Sequence, residues 1–453
     1  MNNASKLSAP VESHSQFRLL AERRFCPLFV TQFFGAFNDN AFKIALVVLL
    51  TFRAASWTTL APEVLANLAA GIFILPFFLF SATAGQLADK FDKARLARWT
   101  KILEIGIILL AGLGFWGQNL TVLLLALFLL GLQSTLFGPV KYAILPQHLS
   151  PDELVGGNAL VEAGTFVAIL LGTLTGGLMA GLDGGVAWIS GISFAVALLG
   201  YLASRAIPPA PAPAPQLALT LNPLTETWRC IGFAHANRSV FLSILAISWF
   251  WLYGSLLLAQ FPAYTRFVLG GGESTVTLLL AVFSVGIGAG SLLCDKLTRR
   301  RGKQVEPGLV PLGALGMTLF GLDLALASPA AAAGTALPLA LLLQNLNIWR
   351  ILLDLLLLGA CGGLYCVPLY ALVQQRSPEN CRARVIAANN IFNSLFMVVG
   401  ALVAAALLKL GLGIPRLFLL IVIAHGLVTV YIFTVIPEFP RRALVWLGLR
   451  REG

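Results

Sequence analysis

Charge is what this sequence has least of. Asp, Glu, Lys and Arg together make up 11% of its 453 residues, against 58% hydrophobic. A soluble chain of this length would carry far more, so a water-exposed globular fold is excluded, and the mean hydropathy of +0.85 agrees. Cysteine is sparse as well. Cys26, Cys230, Cys294, Cys361, Cys366 and Cys381 form no CxxC and no paired spacing. They read as small buried apolar residues, not as disulfides or metal ligands. No P-loop, GxSxG, HExxH or Cys/His set occurs, which removes the usual signatures of nucleotide, hydrolase and zinc chemistry. His148-Leu-Ser-Pro-Asp152 approaches an acyltransferase His–Asp pair, but has three intervening residues where that motif has four. No enzymatic activity, cofactor or metal is expected. The polar first 25 residues lack the basic-then-apolar order of a cleaved signal.

What the sequence does have is twelve apolar stretches long enough to cross a membrane, about 20 residues being required. They run over 27–52, 63–88, 99–117, 121–146, 157–182, 186–205, 239–268, 275–295, 307–328, 349–373, 385–410 and 414–436, with room for a short extra helix around 329–348. If the N-terminus is cytoplasmic, 25 of the 31 Lys and Arg residues fall on the cytoplasmic side. Arg53, Arg266, Arg350, Lys409 and Arg416 fall outside, and Lys43 lies within a span. Cations flanking spans stay inside, so both termini are expected in the cytoplasm. The net charge of +11 is then spread over short loops facing anionic lipid, and no nucleic-acid partner is expected.

The Pro/Ala run over 207–215 cannot be helical. It divides the chain into a cytoplasmic N-terminal segment (1–25), a six-helix bundle (26–207), a linker with an interfacial segment (208–236), a second six-helix bundle (237–437) and a cytoplasmic tail (438–453). The halves echo each other. Asp89-Lys90 and further cations follow span two, and Asp295-Lys296 and further cations follow span eight. Pro139-Val-Lys141-Tyr142-Ala143 ends span four, and Pro368-Leu-Tyr370-Ala371 ends span ten. Asn158 and Asn389 open spans five and eleven. The fold class expected is an all-α polytopic membrane protein with two parallel halves around a midplane site, the architecture of major facilitator transporters.

The loop after span two, with Gly85, Asp89, Lys93 and Arg95, resembles the major facilitator signature. Gln32-Phe-Phe-Gly-Ala-Phe-Asn-Asp39-Asn40, Gly138-Pro-Val-Lys141-Tyr-Ala-Ile-Leu145 and Gly157-Asn158-Ala-Leu-Val-Glu162 resemble the bacterial lysophospholipid transporter branch. The 436–446 segment and Asn38-Asp39-Asn40-Ala-Phe-Lys43 are similar to members fused to an acyltransferase and acyl-ACP synthetase. The resemblance implies a carrier that moves lysophospholipids, such as lysophosphatidylethanolamine, from the outer to the inner leaflet of the bacterial inner membrane for reacylation. It also implies a lipid environment, a possible cytoplasmic acyltransferase/acyl-ACP synthetase partner and a monomeric state. A gating role for Gly85, Asp89, Lys93, Arg95 and, more weakly, Asp295 follows from it. The partner of Asp89 is expected to be a cation or helix N-terminus in the other half.

Charges inside spans are costly and so mark candidate sites. Asp39 and Lys43 are four residues apart and share a helix face. They read either as a zwitterion receptor, Lys43 for phosphate and Asp39 for an ammonium with Gln32, Asn38 and Asn40 around them, or as a self-satisfied structural pair. Lys141, beside Tyr142, is a phosphate contact or a snorkelling cation. Glu162, one turn from Asn158, is expected to face the same cavity, as an ammonium contact, a proton carrier or a gate salt bridge. Lys101, Glu104, Asp323, Asp354 and His425 are lone candidates, His425 reading as a packed core histidine. The aromatic run Trp249, Phe250, Trp251, Tyr253, Phe261, Tyr264 and Phe267 is a tail groove or lipid-facing packing. Glycines 164, 172, 176, 177 and 181 in span five point to close helix packing. Two rivals stand beside the lipid carrier: a proton-coupled exporter of amphipathic compounds, and a membrane scaffold that docks an acyltransferase.

Overall fold

The computed structural model describes residues 15–53, 62–220, 222–299, 305–329 and 337–449. Lys6, Arg300, Arg301, Lys303, Arg450 and Arg451, counted above on the cytoplasmic side, lie outside the described residues. The first half is α1 (Cys26–Arg53), α2 (Pro62–Lys90), α3 (Lys93–Trp116), α4 (Leu120–His148), α5 (Leu154–Gly181) and α6 (Gly185–Arg205). A short helix α7 (Pro223–His235) follows the linker. The second half is α8 (Arg238–Tyr264), α9 (Glu273–Arg299), α10 (Leu309–Ala327), the single turn α11 (Leu339–Leu342), α12 (Leu346–Arg376), α13 (Arg382–Lys409) and α14 (Ile414–Val435), with α15 (Glu438–Trp446) in the tail. All twelve expected spans are present as helices long and apolar enough to cross a membrane. They form two six-helix bundles. The short helix allowed for around 329–348 is α11.

Hydrocarbon offers no partner for a peptide group, so each span closes its backbone hydrogen bonds within its own helix, and helices then associate by packing of small residues. The glycines of α5 do this against α1. A Cβ on Gly172 would lie 2.4 Å from the Phe37 carbonyl oxygen, and one on Gly176 would lie 2.2 Å from that of Ala41. The halves meet where α2 packs on α13 and α5 packs on α9. The linker crosses this same end of the bundle. Ala210 N–H donates to Asp92 Oδ2 at 2.9 Å, Ala214 N–H to the Asp89 carbonyl at 3.0 Å, and Lys90 Nζ to the Leu217 carbonyl at 2.7 Å. At the tail, Arg376 pairs with Glu438 at 2.6 Å and Arg442 with Glu306 at 2.8 Å. The Arg376 guanidinium holds the Glu438 carboxyl below its ordinary range.

Two cations counted with the loops are not in loops. Lys101 is fully buried within α3, and Lys141 is half-buried in α4 and faces a cavity. Without these two, 23 of the 31 Lys and Arg residues still fall on the side counted as cytoplasmic from the sequence.

The α1–α5 crossing makes a direct test. Gly176→Val forces a methyl-bearing carbon into the Ala41 carbonyl and should lower stability by about 1–3 kcal/mol, the usual cost of overpacking. Gly181→Val, whose Cβ would meet nothing within 4 Å, should stay within about 0.5 kcal/mol of the parent. Thermal unfolding of the two variants in detergent would check both.

Candidate functional site

A cavity of about 290 Å³ lies between the two halves. Its first-half wall comes from α1, α2, α4 and α5, and its second-half wall from α8, α12 and α13. Gln32, Asp39, Asn40, Lys43, Lys141 and Tyr142 all line it. They do so because 32, 36, 39, 40 and 43 fall on one face of α1 at helical spacing. Apolar surface from Phe73, Ile74, Phe77, Ile169 and Met397 completes the wall.

The charges in this cavity are not paired with one another. Among the described residues no ion pair joins Asp39 to Lys43, so the self-satisfied pair is not what the structure contains. Asp39 Oδ2 accepts from the Ser134 hydroxyl at 2.5 Å, and its Oδ1 has no partner. The Lys43 ammonium sits 5.1 Å from the centre of the Phe73 ring, and that of Lys141 sits 4.5 Å from the centre of Tyr142. Cation–π contacts of this kind are worth only about 0.5–2 kcal/mol, less than a desolvated ammonium loses. Gln32 Oε1 accepts from Thr165 at 3.0 Å, leaving its amide nitrogen without a partner. Asn40 spends its amide on the Ala36 carbonyl at 2.8 Å.

Three residues expected at the cavity are elsewhere. Asn38 points to the back of α1, where it donates to Glu104 Oε1 at 2.9 Å and to the Ser193 carbonyl at 3.1 Å. It is adjacent to Asp39 in sequence, and adjacent residues on a helix diverge by about 100°. Asn158 exchanges two hydrogen bonds with Gln374, at 2.7 and 2.9 Å, across the two halves. Glu162 stands behind the wall, accepting from Tyr142 Oη at 2.5 Å with its other oxygen unpartnered. Tyr142 itself stacks on Tyr370, with ring centres 4.4 Å apart and planes 5° apart.

Sequence reasoning missed Gln133, Ser134, Asn390 and Asn393, which line the cavity together with Trp251. Serine and glutamine in a span carry no charge to flag them. Trp251 was hidden in the aromatic run, most of which is core packing of the second half, with Phe250, Tyr253, Phe261 and Tyr264 buried. Only Trp251 of that run reaches the cavity, stacked on Phe166 and donating to Tyr370 Oη at 2.9 Å. Lys101 and Glu104 are not lone charges but a pair at 2.5 Å. Both carboxylate oxygens of Asp323 accept from one edge of the Arg350 guanidinium at the surface, Oδ2 from Nε at 2.9 Å and Oδ1 from Nη2. His425 accepts from Trp249 Nε1 at 3.1 Å and sits 3.2 Å from the Ala314 carbonyl, a satisfied core histidine.

At the linker end Asp89 is completely buried. Its Oδ1 accepts from the Ala383 backbone N–H at 3.0 Å, and its Oδ2 accepts from Arg384 Nε at 3.0 Å and from the Arg384 backbone N–H at 3.3 Å. Its contacts are therefore both a cation and the first turn of α13. Gly85 permits the approach, since a Cβ there would lie 2.9 Å from Arg384 Cα. Asp295 takes the matching place near the end of α9, with a partner from its own helix. It is held by Arg299 at 2.8 Å, and its Oδ1 is 3.1 Å from where a Cβ on Gly156 would stand, in the first turn of α5. Lys93 lies buried beneath the linker, its backbone N–H donating to the Ala210 carbonyl at 3.0 Å. Arg95 is exposed, and only its backbone N–H is engaged, with Asp92 at 2.8 Å.

Asp89→Asn leaves the Arg384 guanidinium buried without its counter-charge, a change that typically costs about 3–5 kcal/mol. The contact lies between halves, so the loss should appear as opening of this end. Cys294, buried on α9 against Val155 and Ala159 of α5, reports it. Its labelling by a thiol reagent, read by mass spectrometry, should accelerate at least about tenfold, since 1.4 kcal/mol is already a factor of ten.

Residues 28–334 match the family model described as Major Facilitator Superfamily. A protein named "Lysophospholipid transporter LplT" from Cronobacter sakazakii is 30% identical over 86% of this chain and 89% of its own length. One of the same name from Serratia proteamaculans is 26% identical over 84% and 87%. Among solved structures, the human organic anion transporter MFSD10 superposes with a TM-score of 0.70 at 15% identity, covering 90% of this chain and 99% of that one. FucP in the outward conformation gives 0.67 at 13% identity over 91% and 99%, likenesses that bear on the fold alone. With the charged cavity between two six-helix halves, these matches place the chain in the major facilitator superfamily and, within it, in the family of the lysophospholipid transporters.

Proposed function

We propose that this chain carries lysophospholipids across the bacterial inner membrane, from outer to inner leaflet, by alternating access. The observation that supports it most is the set of unpaired opposite charges in a cavity with apolar walls. A lysolipid with a phosphate and an ammonium supplies counter-charges for both signs: phosphate for Lys43 and Lys141, ammonium for Asp39, with Glu162 behind Tyr142 as a further anion. Such charge-assisted bonds are the strong ones in a low-dielectric site. The acyl chain then needs an apolar exit. Phe73, Ile74 and Phe77 on α2 and Met397 on α13 lie on the two helices that meet across the halves, so a tail laid between them reaches lipid while the head stays inside. Each methylene kept out of water contributes about 0.8 kcal/mol.

The linker end is the cytoplasmic end in this reading, on the positive-inside bias, and both termini are cytoplasmic. Asp89 with Arg384 and Asn158 with Gln374 then form the inner gate, whose contacts must break for the head to be released inward, with Asp295, held by Arg299 of its own helix, beside the start of α5. Gly85 serves the gate by permitting contact, Lys93 lies close under the linker, and Arg95 faces the lipid headgroups. The product side faces enzymes able to reacylate a lysolipid, and a cytoplasmic acyltransferase/acyl-ACP synthetase is a fitting partner for a monomeric carrier.

The test is reconstitution in liposomes with labelled lysophosphatidylethanolamine, with and without a proton gradient. Movement is expected without a gradient, and should fall at least about thirtyfold in Lys43→Ala and Asp39→Ala, a loss of 2 kcal/mol or more being usual when one partner of a buried charge pair is truncated. Full activity in both variants would favour a scaffold. Movement of amphipathic dyes, but not of lysolipid, under a gradient would favour the exporter.

A further inference from the structure

Behind the cavity lies a charged cluster that the reading above does not use. Lys101 and Glu104 on α3 are completely buried and paired at 2.5 Å. Glu104 Oε1 accepts from Asn38, and its Oε2 accepts from Gln133 Nε2 at 3.3 Å. Gln133 lines the cavity, next to the Ser134 that donates to Asp39. From the opposite side, the Lys101 ammonium stands 2.8 Å from the position a Cβ would take on Gly35. Gly35 also lines the cavity, one turn before Asp39 on the same face of α1. Between this buried cation and the head-group site stand Gly35 and the Phe137 ring, whose centre is 5.7 Å from the ammonium.

Stability does not require such a pair, because replacing a buried ion pair by apolar groups is often neutral or favourable. We propose that Glu104 is a specificity-determining shield: it neutralises Lys101, so that Asp39 stays available to a ligand cation and the site favours head groups that bear an ammonium. The inference rests on the reading of the cavity as a head-group site. At low dielectric, an uncompensated Lys101 would hold Asp39 itself and repel the incoming ammonium. Removal of Lys101 instead leaves Glu104 and Asp39 as two anions, which disfavours a head group whose only charge is its phosphate.

The two single variants therefore move selectivity in opposite directions, which a purely structural pair would not do. In proteoliposomes, Glu104→Gln should raise the KM for lysophosphatidylethanolamine about tenfold and that for lysophosphatidylglycerol much less, as expected when one charge of a desolvated pair is lost. Lys101→Met should shift the ratio the other way. The double variant Lys101→Met/Glu104→Gln should return the ratio to within about twofold of the parent, the signature of a coupled pair in a double-mutant cycle. Equal losses for both lipids, or a double variant no better than Glu104→Gln, would overturn the shield. If Glu104→Gln does not fold, as judged by size-exclusion chromatography, the Lys101→Met and double variants decide the matter. A parent protein that moves neither lipid would overturn the head-group reading and the shield together. A parent that moves both, with a ratio unchanged in every variant, removes the shield alone.

Discussion

Burying an ion among helices surrounded by hydrocarbon costs several kcal/mol unless geometry repays it, and the arrangement of this protein follows from where that cost is met. At Asp89 it is met in full, by two backbone N–H groups at the start of α13 and by the Arg384 guanidinium. At Lys101 it is met by Glu104, with Asn38 and Gln133 taking up further lone pairs. At Asp39, Lys43 and Lys141 it is met poorly, by one hydroxyl and two aromatic faces. The same chain thus uses charge as a fastener between halves, as a filler inside one half, and as an unsatisfied surface in the cavity. Only the third kind has something to gain from a ligand.

The fasteners follow the internal repeat. Asp89, at the end of α2, caps the first turn of α13, and Asp295, near the end of α9, stands against the first turn of α5. A helix start offers unpaired N–H groups and a partial positive charge; Asp89 uses these across the halves, whereas Asp295 bonds to Arg299 of its own helix. These polar contacts stand beside an apolar seam between the halves, where Val155 and Ala159 of α5 pack on Cys294 of α9. Breaking them exposes groups that water can satisfy, whereas separating α1 from α5 would dismantle a close-packed crossing.

Much of this was legible from residues alone. Twelve spans follow from apolar length, and the two halves follow from the Pro/Ala run and the repeated Asp-Lys motifs. The placement of Asp39, Lys43 and Lys141 on one cavity follows from the cost of charge in a span together with helical spacing. Other features were out of reach for physical reasons. Asn38 and Asp39 are neighbours in sequence, but helix rotation sends one to Glu104 and the other to the cavity, and no local pattern says which. Lys101 and Glu104, three apart near a span start, could have been flagged as a pair by their i, i+3 spacing, yet their proximity to a loop made them look like boundary charges. Ser134, Asn390 and Asn393 are uncharged, and only the meeting of α4 with α1 and α13 gives them a role. Trp251 differs from its aromatic neighbours only in the direction its position on α8 happens to face.

Tyr142 joins the cavity to the seal. Its ring carries the Lys141 ammonium on the cavity side and stacks on Tyr370 of the opposite half, while its hydroxyl is held by Glu162. Tyr370 in turn accepts from Trp251, which stacks on Phe166 of α5. An anion that draws Lys141 away from the ring removes a cation–π contact from a residue that is itself part of the contact between halves. A cation that engages Glu162 competes with the bond that orients the same ring. A ligand can shift a conformational equilibrium only by its differential interaction with the two states, and in the proposed reading Lys141 and Glu162 meet the head group while both touch Tyr142, which stacks on the other half. On that reading, coupling between binding and opening needs no distant pathway: it runs through one tyrosine and the two charges on either side of it.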